Sequence, residues 1–154
     1  MKHQLPITKI MTKDVITLDC NDNLETAEIL FKRNNIRHIP VVKNKSIIGM
    51  LSYTDLLRIS FADATDEYDD DVETVVYNMF TIEQVMAKNV ISVPSSATIK
   101  DVAKLLGKKE FHALPVIDQD KLMGIVTTTD LINYLVEKLQ PKSFNTRLYN
   151  EFEY

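Results

Sequence analysis

The sequence is poor in cysteine and glycine and has no long apolar run: 154 residues contain one cysteine, three glycines and no tryptophan. The single thiol, Cys20, excludes an intramolecular disulfide, and we expect an inert thiol in a reducing compartment. No apolar run approaches the ~18 residues of a membrane span, and residues 1–6 lack the apolar core of a secretory signal. The sequence therefore indicates a cytoplasmic protein with no membrane partner.

An excess of basic residues is also missing. The formal net charge is −4 and the pI is about 5.4, whereas nucleic-acid binders usually carry a basic patch or stripe. We therefore expect no nucleic-acid partner, although a local site on an acidic protein can still bind anions. The length suits one compact domain or two small fused ones.

Motifs for catalysis are absent as well. His3, His38 and His112 lie far apart and show no metal-ligand spacing. The sequence contains neither a G-x-S-x-G nucleophile elbow nor a P-loop. We predict that the protein is not an enzyme, with no catalytic residue, no metal site and no required cofactor.

An internal repeat organises the chain. A shift of 75 residues places residues 11–56 on residues 86–131 without a gap. Identical pairs include Met11 with Met86, Lys13 with Lys88, Pro40 with Pro115, Gly49 with Gly124, Thr54 with Thr129 and Asp55 with Asp130. Two copies of one supersecondary unit follow from this register.

Each copy predicts the order βαββα. In copy one the strands are 14–18, 36–42 and 46–52 and the helices 23–31 and 53–59, with a turn at Asn44. In copy two the strands are 89–93, 111–117 and 122–127 and the helices 99–106 and 128–139, with a turn at 118–120. The fold class is α/β (α+β). Because one copy of about 50 residues buries too little surface alone, the two should pack about a pseudo-twofold axis and leave two related crevices.

The predicted boundaries are copy one at 7–60, an acidic linker and connector at 61–81, copy two at 82–139, and a tail at 140–154. The acidic stretch lacks the glycine and ligand spacing of a calcium loop, so a solvated linker is predicted. The tail carries four aromatic residues. Docking on a partner subunit and partial order remain equally open for it.

The chain resembles a tandem pair of CBS domains, called a Bateman module, of the stand-alone bacterial type that includes proteins labelled acetoin-utilisation-like. The motifs that carry the resemblance occur in the same order in both copies: Ile10-Met11-Thr12, Ile36-Arg37-His38-Ile39-Pro40-Val41-Val42 and Gly49-Met50-Leu51-Ser52-Tyr53-Thr54-Asp55-Leu56, then Val85-Met86, Phe111-His112-Ala113-Leu114-Pro115-Val116-Ile117 and Gly124-Ile125-Val126-Thr127-Thr128-Thr129-Asp130-Leu131.

The resemblance implies a regulatory sensor without catalysis. It would bind an adenosine-containing ligand such as AMP, ADP or ATP, with or without Mg²⁺, and transmit occupancy to a regulated protein that the sequence does not identify. S-adenosylmethionine or a cyclic dinucleotide is an alternative ligand, and a ligand-free dimeric scaffold is an alternative function. A homodimer is expected, with an interface on the apolar faces of the helices 24–31 and 99–106 or of the closing helices.

The ligand-binding residues are carried over from the family by position. The first crevice would combine Thr17, Ile36, Arg37, His38, Ile39 and Pro40 with Thr127, Thr129 and Asp130. The second would combine Ser92, Phe111, His112, Ala113, Leu114 and Pro115 with Ser52, Thr54 and Asp55. An ionised aspartate can accept hydrogen bonds from the cis hydroxyls of a ribose, and a threonine at a helix start favours phosphate.

The same aspartates also fit a second interpretation. Ser52-x-x-Asp55 and Thr127-x-x-Asp130 match helix capping boxes, and the capping and binding roles can coexist at different atoms. Arg37 is the stronger phosphate candidate because it is always charged. We expect the crevice with Arg37 and Asp130 to be the tighter anion site, and no role is assigned to Thr128.

Overall fold

A computed structural model describes residues 5–61, 77–109 and 111–139, without the side chain of Phe61. A short 3₁₀ turn, Ile7–Lys9, precedes the first repeat. The elements of the first repeat are β1 (Leu18–Asp19), α1 (Leu24–Asn34), β2 (His38–Lys43), β3 (Ser46–Ser52) and α2 (Tyr53–Phe61). Those of the second are α3 (Ile82–Val85), β4 (Val93–Pro94), α4 (Ile99–Lys108), β5 (Ala113–Asp118), β6 (Lys121–Thr127) and α5 (Thr128–Leu139).

Two three-stranded sheets, one in each repeat, confirm the mixed α/β fold. The strand order is β1-β2-β3 in one sheet and β4-β5-β6 in the other. The first pair of each sheet is parallel and the second is antiparallel. The acidic linker and the tail fall mainly at 62–76 and 140–154, outside the described residues. No helix in the described ranges is long and apolar enough to cross a membrane.

The two antiparallel hairpins turn where the sequence places turns. Asn44 and Lys45 have φ values of 51° and 69°, and Gln119 and Asp120 have 46° and 60°. Two successive positive φ values are the geometry of a type I′ turn, whose twist matches that of the flanking strands. The predicted turns are therefore confirmed in both repeats.

The first strand of each repeat is shorter and begins later than predicted. Only Leu18 of 14–18 and only Val93 of 89–93 are strand residues. The Cys20 N–H donates to the Val42 carbonyl at 3.2 Å, so Val42 faces β1. Pro40, two residues earlier, faces the same way but has no N–H to donate, so the ladder ends there. Pro115 occupies the equivalent place in β5, one residue before the pairing of Val93 with Val116.

Helix α1 buries its apolar face in the core of the first repeat. Leu24, Ala27 and Phe31 are 0%, 0% and 2% exposed. The Asn23 side chain accepts the Thr26 N–H at 2.8 Å and caps the N-terminus. This apolar face packs within its own repeat, so it leaves few apolar side chains for the expected dimer interface.

Helix α4 behaves in the same way in the second repeat. Ile99, Val102 and Leu106 lie in its hydrophobic core, so these side chains are not available for the expected interface. Thr98 and Asp101 form a capping box at its start. Hydrogen bonds from the Thr98 hydroxyl and N–H hold the pKa of Asp101 below its usual value.

The N-terminal segments of the two repeats are exchanged between them. Ile7 is fully buried in the core of the second repeat, and Thr12 and Ile125 exchange backbone hydrogen bonds of 2.8 and 3.0 Å. In return, Ile82 and Met86 belong to the core of the first repeat. The packing units therefore differ from the segments delimited by the sequence repeat.

Close packing between the repeats supports the predicted association of the two copies. Met50, Ala113 and Ile125 form a buried cluster, with Val15 and Val90 packed against it. Since β3, β5 and β6 supply the buried members, the two sheets meet face to face near this cluster. We expect the predicted crevices to border this contact.

Candidate ligand site between the two repeats

Thr127 and Asp130 form a reciprocal cap at the start of α5. The Thr127 N–H and hydroxyl donate to Asp130 Oδ2 at 2.7 and 2.9 Å, and the Asp130 N–H donates to the Thr127 hydroxyl at 3.3 Å. The first two bonds end on the same carboxylate oxygen, Oδ2, and the third ends on the hydroxyl oxygen of Thr127. Within the described residues, Asp130 Oδ1 has no recorded partner, so one carboxylate oxygen is available to a ligand.

Ser52 and Asp55 form the equivalent cap at the start of α2. The Ser52 hydroxyl and N–H donate to Asp55 Oδ2 at 2.5 and 3.3 Å, and the Asp55 N–H returns to the hydroxyl at 3.1 Å. Here Oδ1 lies 3.6 Å from Arg58 Nη1. The residue 75 positions after Arg58 is Asn133, which has no charge. The two carboxylates therefore differ at Oδ1. Oδ1 of Asp55 lies close to an arginine, whereas Oδ1 of Asp130 has no recorded partner among the described residues.

Backbone bonds tie the first residue of each capped helix to the residue that precedes the partner strand of the hairpin. The Tyr53 N–H donates to the Arg37 carbonyl at 2.9 Å, and the Thr128 N–H donates to the His112 carbonyl at 3.0 Å. Thr128, to which the sequence assigned no role, therefore fixes the backbone at His112. The side chains of Arg37 and His112 remain exposed. No pattern in the sequence marks this backbone contact, because it depends on the hairpin register.

His38 is a half-buried cationic candidate near the interface between the repeats. Burial lowers its pKa most, the nearby His112 and Arg37 lower it further, and Asp55 acts in the opposite direction. His112 belongs to the other repeat, so the two histidines face the same region from opposite copies. The position equivalent to His38 is Ala113, which is buried, and the two crevices are therefore chemically different.

The structure divides the remaining carried-over residues into surface and core. Ile39 and Leu114 are 0% and 1% exposed, and the prolines that follow them are also buried, so these positions offer a ligand backbone atoms rather than side chains. Ile36 and Phe111 are partly buried against the core of their own repeat. The accessible polar members are Thr17, Thr54, Thr129 and, half-buried, Ser92.

A pocket of about 320 Å³ opens on the side of the first crevice. Thr17 and Val15 from the first repeat line it together with Leu122 and Met123 from β6. β6 is the strand that ends at Thr127, the capping residue of α5. The pocket lies at the start of β6, at the opposite end of the strand from Thr127, and Thr17 is the one carried-over residue in its lining.

Cys20 and the acidic side chains give no separate reactive centre in the part of the chain that the structure describes. Burial raises the pKa of the Cys20 thiol, and the charge of Asp19 raises it further. A protonated thiol is a poor nucleophile. No group of three or more histidine, cysteine, aspartate or glutamate side chains in the described ranges is placed to hold a metal ion.

Comparison with known proteins identifies both halves of the chain with one family. The family model for the CBS domain matches residues 7–62 and again residues 82–137. An uncharacterized protein of Methanocaldococcus jannaschii, MJ1404, is 30% identical over 134 residues, which are 85% of this chain. This chain spans only 32% of that relative, and 46% of two others from the same organism.

Solved structures of similar proteins share the whole arrangement. A putative acetoin utilization protein (AcuB) from Vibrio cholerae has a TM-score of 0.75 and 28% identity, covering 92% of this chain and 99% of its own. The CBS domain pair of protein MJ0100, in complex with 5′-methylthioadenosine and S-adenosyl-L-methionine, has a TM-score of 0.71 and 25% identity. It covers 86% of this chain and 97% of its own.

Proposed function

This chain belongs to the CBS domain family as a tandem pair of repeats, and from that premise we propose that it is a regulatory module for an adenosine-containing ligand. The ligand would bind in the first crevice, with its ribose at Asp130, and its occupancy would be transmitted to a regulated protein. In this proposal the chain acts by binding rather than by catalysis.

The observation that carries the proposal is the open carboxylate oxygen of Asp130. Its Oδ2 is used by the helix cap, while Oδ1 has no recorded partner among the described residues. An ionised carboxylate oxygen accepts hydrogen bonds, and paired hydroxyls on a ribose are suitable donors. Asp130 can therefore clamp a ribose without giving up its cap.

In this proposal, two groups that favour phosphate complete the crevice. Thr129 is exposed in the first turn of α5, where the helix dipole favours an anion. The exposed Arg37, immediately before β2, would add a permanent positive charge. An adenosine phosphate would match both the ribose clamp and these two groups.

The second crevice is the weaker candidate. The Asp55 oxygen that corresponds to the open oxygen of Asp130 faces Arg58 at 3.6 Å. That contact competes with a ribose, and the position equivalent to Arg37 is His112. We therefore expect occupancy of the first crevice before the second.

A named alternative shares the same site. The complex of MJ0100 contains 5′-methylthioadenosine and S-adenosyl-L-methionine, both of which carry an adenosine group, so S-adenosylmethionine is a candidate for this chain as well. A cyclic dinucleotide remains an alternative ligand, although it offers Asp130 only a 2′ hydroxyl because its 3′ oxygens are esterified. A dimeric scaffold without a ligand is the competing function, and a homodimer is part of either proposal.

A thermal-shift panel tests the proposal. The full chain would be heated with AMP, ADP, ATP, S-adenosylmethionine, NAD and cyclic di-AMP, each with and without Mg²⁺, and with guanosine monophosphate as the base control. We expect at least one adenosine compound to raise the melting temperature in a concentration-dependent way. No shift with any member would favour the scaffold over the sensor.

A further inference from the structure

Three lysines surround the pocket at the hairpin end of the first crevice. Lys13 precedes β1, Lys45 lies in the β2–β3 turn, and Lys121 begins β6. They come from three separate segments and from both repeats. Val15, Leu122 and Met123 supply an apolar part of the lining, so ammonium groups and an apolar surface share one concave site of about 320 Å³.

The internal repeat provides a control for this arrangement. At the equivalent positions of the second crevice, Lys13 is matched by Lys88, Lys45 by Asp120 and Lys121 by Ser46. Three positive groups on one side thus correspond to one positive, one negative and one neutral group on the other. The lysine triad is a specific property of the first crevice rather than a consequence of the hairpin fold.

Few negative charges offset the positive charge of the lysine triad. In the described ranges, none of the three lysines forms an ion pair within 4.0 Å. The nearest acidic residues along the chain are Asp14, Asp118 and Asp120, and none of them lines the pocket. Like charges that share a concave surface repel each other and raise the local concentration of anions.

The pocket is distinct from the ribose clamp. β6 runs from Lys121 to Thr127, and six residue steps of ~3.3 Å separate the two ends by roughly 20 Å. The phosphate of a mononucleotide held at Asp130 and Arg37 would lie at the helix end of the crevice. The lysines lie at the hairpin end and therefore need a ligand group of their own.

We propose that this pocket binds a phosphate-bearing anion with at least two negative charges, such as a di- or triphosphate chain. The anion is either free or the far end of an extended nucleotide in the first crevice. Only the second case rests on the proposed function. Lysine ammonium groups bind phosphate as point charges, and their exposure makes the binding sensitive to salt.

Calorimetric titration of the full chain with inorganic tripolyphosphate tests this site. The triple variant K13Q/K45Q/K121Q would be compared with K88Q/K104Q/K108Q, which removes the same charge from exposed lysines of the second repeat. We expect wild-type binding at low salt that weakens at high salt. The pocket variant should lose about tenfold in affinity, as the removal of three exposed ion pairs implies, and the control variant should bind as wild type does.

Two outcomes would overturn the proposal: no binding of tripolyphosphate at low salt, or equal losses in the two triple variants. Saturating AMP distinguishes the sources of the phosphate. If AMP and tripolyphosphate bind independently of each other, the pocket binds a free anion. If the pocket variant loses affinity for ATP but not for AMP, the pocket binds the phosphate tail of a nucleotide.

Asp130→Ala separates this site from the ribose clamp. If the pocket is independent, this variant loses AMP binding and retains tripolyphosphate binding. If the wild-type chain binds AMP but not tripolyphosphate, only the lysine pocket is contradicted. If it binds tripolyphosphate but not AMP, only the proposed nucleotide site is contradicted.

Discussion

Thr127 and Asp130 hold each other across the first turn of α5 through three hydrogen bonds, of which two end on Oδ2 of the carboxylate. The cap and the proposed ribose contact therefore use different oxygens of one side chain. In the twin pair, Ser52 and Asp55, the cap is the same but the outer oxygen faces Arg58. One difference between the repeats, Arg58 in the first against Asn133 in the second, thus distinguishes the outer oxygens of two similar caps.

Thr127→Ala should destabilise the chain by ~1 kcal/mol, because the Asp130 N–H loses its acceptor and Oδ2 loses one donor. Urea unfolding with a two-state fit measures the change. Thr129→Ala serves as the control, since Thr129 is exposed and makes no recorded capping bond. Its stability should remain within about 0.5 kcal/mol of wild type. Equal stability of all three proteins would contradict a structural cap at Thr127.

Gly124→Ala should destabilise the exchange of segments between the repeats. An added Cβ would lie 2.6 Å from Met11 Sδ and 2.8 Å from the Thr12 carbonyl oxygen. That carbonyl accepts the Ile125 N–H, so the backbone cannot withdraw without loss of a hydrogen bond. Overpacking of this kind reduces the free energy of unfolding by about 1–3 kcal/mol.

Gly107→Ala is the matched control for the glycine substitution. A Cβ there meets no atom within 4 Å, and the residue lies in α4. Replacing a helical glycine by alanine should raise stability by up to ~1 kcal/mol. Opposite signs for the two variants in urea unfolding are expected. A Gly124→Ala protein as stable as wild type would show that Met11 and Thr12 do not pack as described.

Stability should fall as the pH drops below about 6.5, and His38 should contribute to the fall. Burial is the main cause that lowers its pKa from 6.5 in the folded state. Between that lowered pKa and 6.5 the unfolded chain binds more protons, so the free energy of unfolding decreases with decreasing pH. The contribution is complete above 6.5 and is lost as the pH falls through this window.

His38→Gln removes the titrating group and isolates this effect. The difference in unfolding free energy between pH 7.5 and pH 5.5 should be smaller in the variant than in wild type. Urea unfolding at the two pH values measures it. An identical pH dependence in both proteins would exclude His38 as a source of acid sensitivity.

The outer face of α5 is expected to form the homodimer interface. Ile132, Leu135, Val136 and Leu139 are 53%, 54%, 50% and 77% exposed, and Leu135 also borders an apolar groove of about 300 Å³ between α4 and α5. Leu135→Glu should shift a wild-type dimer to monomer in sedimentation equilibrium. Ile29→Glu, at an equally exposed apolar residue on α1, should leave the dimer intact. A monomeric wild type, or dissociation by both variants, would contradict this interface.

Much of the fold could be predicted because it is local and occurs twice. Asn44 and the 118–120 stretch mark the hairpin turns, and Ser52 and Thr127 mark helix starts through capping spacing. The ion pair between Asp55 and Arg58 could also be predicted, because Arg58 follows Asp55 by three residues on the same helix. The equivalent residue of the second repeat, Asn133, has no charge.

Other features depend on tertiary contacts that no local pattern encodes. The exchange that brings Ile7 into the second repeat depends on how two similar sheets pack. The short first strands depend on the register that places Pro40 and Pro115 just before the first paired residue of β2 and β5. The lysine pocket also could not be predicted from the sequence, because Lys13, Lys45 and Lys121 become neighbours only when the repeats associate.

The most direct test of the nucleotide site is calorimetric titration of the best adenosine ligand from the thermal-shift panel into wild type, Asp130→Asn and Asp55→Asn. Asparagine has nearly the same shape as aspartate but removes the charge. The two variants alter equivalent helix caps, so their effects on stability should be similar. Strong binding in wild type and Asp55→Asn, with a loss of at least about tenfold in Asp130→Asn, is the expected result. Binding that survives in Asp130→Asn and is lost in Asp55→Asn would contradict the proposed site.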